Sequence, residues 1–72
     1  MELSEHLRLL KPEQREALAA AAITTVGYLY QLAGRHRRAS VDMAIRIETA
    51  SGGVVTREDL LPEFFKRRVE AA

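Results

Sequence analysis

The sequence predicts an all-α domain, a compact bundle of four to five helices with a helix-turn-helix unit at about residues 13–34. Three observations carry that expectation. Glu13 to Ala22 consists of strong helix formers: Glu, Gln, Arg, Leu and Ala. Ile23-Thr24-Thr25 is β-branched and interrupts the run, and Thr25 can cap a second helix by accepting backbone N–H bonds. That helix runs from Val26 to about Ala33 and meets Gly34, which tolerates the left-handed conformation of a helix end.

Glu2 to Leu10 reads as the opening helix, because Leu3, Leu7 and Leu10 fall on one stripe with Leu9 at its margin. Lys11-Pro12 interrupts it. Pro12 then suits the first turn of the next helix, and Glu13 and Glu16 favour the positive end of that helix dipole. Within the two-helix unit, Ala19 marks the point of close crossing, with Leu18 and Ala22 on its face. Leu29 and Leu32, with Val26 on their flank, form the apolar back of the second helix. Thr25, Gly27, Tyr30 and Gln31 are left toward solvent or a partner, while Tyr28 covers the edge of the core.

Gly34-Arg35-His36-Arg37-Arg38-Ala39 is a basic connector, and Ser40 caps the following helix, Val41 to about Ser51. Its wide apolar arc makes it the floor of the core. Gly52-Gly53 ends it, and Val54-Val55 is either a brief extended segment or a core plug. Thr56 and Asp59 resemble a capping box for a helical turn from Arg57 to Leu61, stopped at Pro62. Glu63 to Ala72 forms a last helix with an apolar face of Phe64, Phe65 and Val69.

A chain of 72 residues is one domain, 1–72, with a core so small that a second subunit is a common supplement. Without cysteine it has neither disulfides nor thiolate metal sites, and no metal or other cofactor is expected. No apolar run reaches the roughly 18 residues of a membrane span, and MELSEHLRLL lacks the basic-then-apolar order of a signal peptide. A soluble cytoplasmic protein is the resulting expectation. The formal net charge of +1 says little about a polyanion partner, but its distribution says more. Arg35, Arg37 and Arg38 cluster around His36, and Lys66, Arg67 and Arg68 form a second cluster, away from most acidic residues.

Three segments carry a family resemblance: TTVGYLYQLA at 24–33, AIRIE at 44–48 and GGVVTREDL-P at 52–62. With PEQREALAAAA at 12–22 they cover most of the chain, which resembles the YdaS/Cro-like family of small phage-type DNA-binding regulators. The resemblance implies a lambda-repressor-like fold of five helices with the helix-turn-helix in the second and third. It further implies a Cro-like repressor of operator DNA, or an antitoxin component; the apolar end formed by Phe64, Phe65 and Val69 reads first as a homodimer contact. The base-facing positions then match Thr25, Val26, Gly27, Tyr30 and Gln31. The family's phosphate-gripping glutamine aligns with Arg15, beside Gln14. Ile23 stands where the bend usually carries glycine, so a different bend is expected.

The chemistry of these side chains suits that role. The Gln31 amide can bond adenine at two edges in the major groove. Thr25 offers a hydroxyl and a methyl, Tyr30 a ring and a hydroxyl, and Gly27 allows close backbone approach. Gln14, Arg15, Thr24, Arg35, His36, Arg37 and Arg38 are the candidate phosphate contacts, which position rather than specify. Candidate dimer contacts are Val54, Val55, Phe64, Phe65 and Val69 in and before a C-terminal dimerisation helix, 63–72. Catalysis is not expected: His6 and His36 lie in no ligand pattern, and a chain this short has little room for a walled pocket. The competing expectations are a plain helical bundle and a module that docks a toxin or another regulator.

Overall fold

The computed structural model of this protein describes residues 1–65. They form an all-α domain of α1 (Leu3–Leu9), α2 (Pro12–Ala21), α3 (Val26–Ala33), α4 (Val41–Ala50) and α5 (Arg57–Leu60). A further turn of helix, α6, covers 62–65. The sixth segment starts where a last helix from Glu63 is expected, and Pro62 does two things at once. It ends α5 and then occupies the first position of α6, where its missing N–H is no loss.

Caps set the helix starts. Thr25 and Ser40 accept backbone N–H bonds from Tyr28 at 3.1 Å and Met43 at 3.0 Å. Thr56 and Asp59 close both arms of the capping box, at 3.1 and 2.9 Å. For α2, Gln14 Oε1 reaches back to the Lys11 N–H at 2.8 Å.

The three longer helices that follow α1 end in one way. At α2, Thr24 N–H donates to the Ala19 carbonyl and Ile23 N–H to that of Ala20. At α3, His36 donates to Gln31 and Arg35 to Leu32; at α4, Gly53 donates to Glu48 and Gly52 to Thr49. Each is a Schellman closure whose pivotal residue is left-handed: Ile23 at φ 58°, Arg35 at φ 61° and Gly52 at φ 67°. The expectation for Gly34 is therefore corrected. Its φ is −82°, and the left-handed turn falls one residue later, on Arg35. The expectation of an altered bend at Ile23 is corrected as well, because isoleucine adopts the conformation that glycine would.

The core joins Leu3 and Leu7 of α1, Leu18 and Ala19 of α2, Leu29 and Leu32 of α3, and Met43 and Ile47 of α4. Helix α3 packs against α1 and α2, and α4 packs against α2 and α5. Val55 is a fully buried plug, which resolves the open reading of Val54-Val55. Ala44, Leu61 and Phe65 form a smaller cluster that seats α5 and α6 on α4. There the Arg57 guanidinium lies 5.6 Å from the centre of the Phe65 ring and bonds Glu48 at 2.6 Å.

Candidate nucleic-acid interface

The spacing of α3 separates two faces. Leu29 and Leu32 are buried, and Val26 and Tyr28 are half-buried against the same core. Val26, expected among the base contacts, is thus drawn inward because its position lies on the flank of Leu29. Gly27, Tyr30 and Gln31 stand at i, i+3 and i+4 and are all exposed, so they form one outward stripe. Thr25 is exposed at the head of that stripe, with its hydroxyl on the Tyr28 N–H. Among the described residues, nothing presses on Gly27. A Cβ there would meet only the Thr25 hydroxyl oxygen, at 4.0 Å.

The Schellman closure at Arg35 turns the chain back beside α3 and sets the basic connector next to the stripe. Arg35, His36, Arg37 and Arg38 are all exposed. Arg37 Nε–H donates to Gln31 Oε1 at 2.9 Å, and its backbone N–H approaches the Gln31 carbonyl at 3.4 Å. Tyr28, Gln31, His36, Arg37 and Arg38 line one shallow groove. Arg35 pairs with Glu2 at 3.4 Å and Arg38 pairs with Glu63; all four side chains are more than half exposed. Such surface pairs are weak and readily exchanged for another anion.

The remaining candidate phosphate contacts are less available. Arg15 donates its Nε–H to the Leu7 carbonyl at 2.9 Å, so it closes the end of α1. That bond takes one of the five guanidinium N–H donors, so Arg15 stays a candidate phosphate contact. Gln14 is exposed but holds the N-terminal arm of α2, and Thr24 is half-buried in the bend.

The candidate dimer contacts divide by burial. Val54 and Phe64 are exposed, whereas Val55 and Phe65 belong to the core and have no surface to offer a partner. That corrects both: Val55 plugs the main core, and Phe65 seats α6 on α4 beside Ala44 and Leu61. Val69 and most of the proposed 63–72 helix lie outside the described residues. Among the described residues, no group of three or more His, Cys, Asp or Glu is placed to hold a metal ion, and no helix is long and apolar enough to cross a membrane.

Two relationships escaped the sequence reading. Arg46 anchors the bend by donating to the Ala22 carbonyl at 2.9 Å, and its only sequence signal is an i, i+4 pairing with Asp42. The Gln31–Arg37 bond spans a helix end, where no periodicity rule applies. Comparison with known proteins finds no matching family model, no matching curated relative and no matching solved structure.

Proposed function

We propose that this domain is a sequence-specific DNA-binding transcriptional regulator, a Cro-like repressor whose helix α3 enters the major groove of an operator. One observation carries the reading: the exposed stripe Gly27–Tyr30–Gln31 borders a loop that holds Arg35, Arg37 and Arg38 on the surface. A recognition helix needs an apolar back, a hydrogen-bonding front and cations at its edge to reach phosphate. The unhindered Gly27 adds support, because it lets a helix backbone approach a partner closely. The resemblance to the YdaS/Cro-like family points the same way. On this reading Thr25, Tyr30 and Gln31 address base edges, and Arg35 and Arg38 exchange their carboxylate partners for phosphates.

A homodimer on two half-sites about one helical turn apart is the form such a regulator takes. Val54 and Phe64 are the exposed apolar residues for that contact. The same two side chains favour a second reading, in which the domain docks a toxin or another regulator and needs no DNA.

Selection of bound fragments from random duplex DNA, followed by sedimentation with and without the selected duplex, tests the proposal. Enrichment of one consensus, palindromic for a dimer, is the expected result. A monomer that enriches nothing and binds no duplex even at low salt would overturn it in favour of the docking reading.

A further inference from the structure

We propose that Gln31 and Arg37 act as one base-reading unit whose target is guanine, an inference that rests on the DNA-binding reading above. The two residues are six apart and on opposite sides of a helix end, yet the Arg37 Nε–H donates to Gln31 Oε1 at 2.9 Å. Backbone geometry brings them together. The left-handed Arg35 reverses the chain, and the N–H groups of His36 and Arg37 reach the Gln31 carbonyl at 3.0 and 3.4 Å. Both side chains are exposed, so burial does not force the bond.

The chemistry of the pair then fixes what it displays. Arginine only donates, so the atom of Gln31 that faces it is the carbonyl oxygen and the amide NH2 turns away. Arg37 uses its Nε–H internally, and its two Nη groups have no partner among the described residues. The pair therefore presents a row of donors: the NH2 of Gln31 and the Nη fork of Arg37. In the major groove guanine shows two acceptors, N7 and O6, side by side, whereas adenine alternates an acceptor with a donor. A donor row matches guanine. A lone glutamine would favour adenine, and the arginine beside it reverses that preference.

The test uses the whole protein and its selected duplex, with each guanine of the consensus replaced in turn by adenine or by 7-deazaguanine, which lacks the N7 acceptor. One guanine is expected whose replacement weakens wild-type binding by about tenfold or more. Arg37→Lys keeps the charge and loses the fork, so it should abolish that discrimination while leaving the salt slope unchanged. Gln31→Ala should narrow the discrimination several-fold. Both positions are exposed, and unchanged melting curves would show that the variants fold. If Arg37→Lys retains the guanine preference, or Arg37→Ala weakens every duplex equally and flattens the salt slope, the arginine is a phosphate contact. The pair reading is then wrong while DNA binding stands. Failure of the wild type to bind any duplex overturns both.

Discussion

Arg46 on α4 donates its Nε–H to the Ala22 carbonyl at 2.9 Å, which pins the end of α2 at the bend that leads into α3. Ala22 is fully buried, so water cannot readily replace this partner. Neighbours steady the guanidinium: the Met43 sulfur lies 3.7 Å away, and Asp42 pairs with it across one helical turn. Arg46→Met should lower stability by about 1–3 kcal/mol, the range for losing a charge-assisted bond to a buried group. Asp42→Asn should stay within roughly 0.5 kcal/mol, because that carboxylate is exposed. Urea unfolding reads both as midpoint shifts at constant slope. Equal, small shifts would mean that the Ala22 carbonyl does not depend on Arg46.

Ile23 sits at φ 58° with 77% of its surface exposed. A left-handed conformation costs a β-branched residue about 1–2 kcal/mol, and so exposed a side chain recovers little of that through burial. Ile23→Gly should therefore stabilise the fold, by up to about 1 kcal/mol after allowing for the extra freedom of glycine in the unfolded chain. For a domain of this size that corresponds to a rise in Tm of roughly 4–8 °C per kcal/mol. A fall in Tm would show that the isoleucine side chain makes a stabilising contact in the bend.

Asp59 couples α5 to the start of the chain. Its carboxylate takes hydrogen bonds from the Met1 ammonium at 2.8 Å and the Thr56 N–H at 2.9 Å. Burial alone would raise its pKa, but the ammonium, together with the backbone and hydroxyl of Thr56, outweighs burial and holds it below the ordinary 3.8. A depressed folded pKa means that the unfolded chain binds the proton first. The stabilisation is thus complete well above 3.8 and is lost as pH falls through that value toward the folded pKa. Denaturant midpoints measured through this acid window should fall less steeply for Asp59→Asn than for the wild type. Parallel profiles would remove Asp59 as a source of acid sensitivity.

How much of this was legible follows from the range of each interaction. Caps at Thr25, Ser40 and Thr56 act over three residues, so local spacing revealed them. The outward stripe of α3 was legible for the same reason, since Leu29 and Leu32 define the opposite face. The burial of Val55 and Phe65 was left open, because an apolar pair in a connector or a short helix reads alike whether it fills a core or meets a partner. The role of Arg15 was not legible. An exposed-looking cation near a helix start gives no local sign that the carbonyl of Leu7 lies within reach. The Gln31–Arg37 bond depends on a left-handed arginine, a conformation that sequence would assign to Gly34.

On the DNA-binding reading, Gly27 separates fold from function, because the fold leaves space for a side chain there. Gly27→Ala should raise stability by roughly 0.5–1 kcal/mol through helix propensity. The same methyl would stand between the α3 backbone and a groove wall, so DNA affinity should fall several-fold. Thermal melts and duplex titrations on one preparation would show the two effects with opposite sign. Parallel changes in stability and affinity would place Gly27 outside the contact.

On the DNA-binding reading, the ion pairs Arg35–Glu2 and Arg38–Glu63 set a competition that DNA must win. Each arginine that moves to a phosphate releases counterions, so Arg35→Ala and Arg38→Ala should each reduce the salt slope by about 0.9. Glu63→Gln should act in the opposite sense. It removes the internal partner of Arg38 and one negative charge beside the duplex, so affinity should rise by up to about fivefold at low salt, the limit set by a weak surface pair. That gain should shrink between about 50 and 200 mM salt, as screening shortens the reach of the removed charge. The double variant Arg38→Ala, Glu63→Gln decides whether the two act together: its affinity should match Arg38→Ala alone, apart from the small effect of net charge. A full gain from Glu63→Gln in the absence of Arg38 would mean that the carboxylate repels DNA directly and that Arg38 does not meet the phosphate.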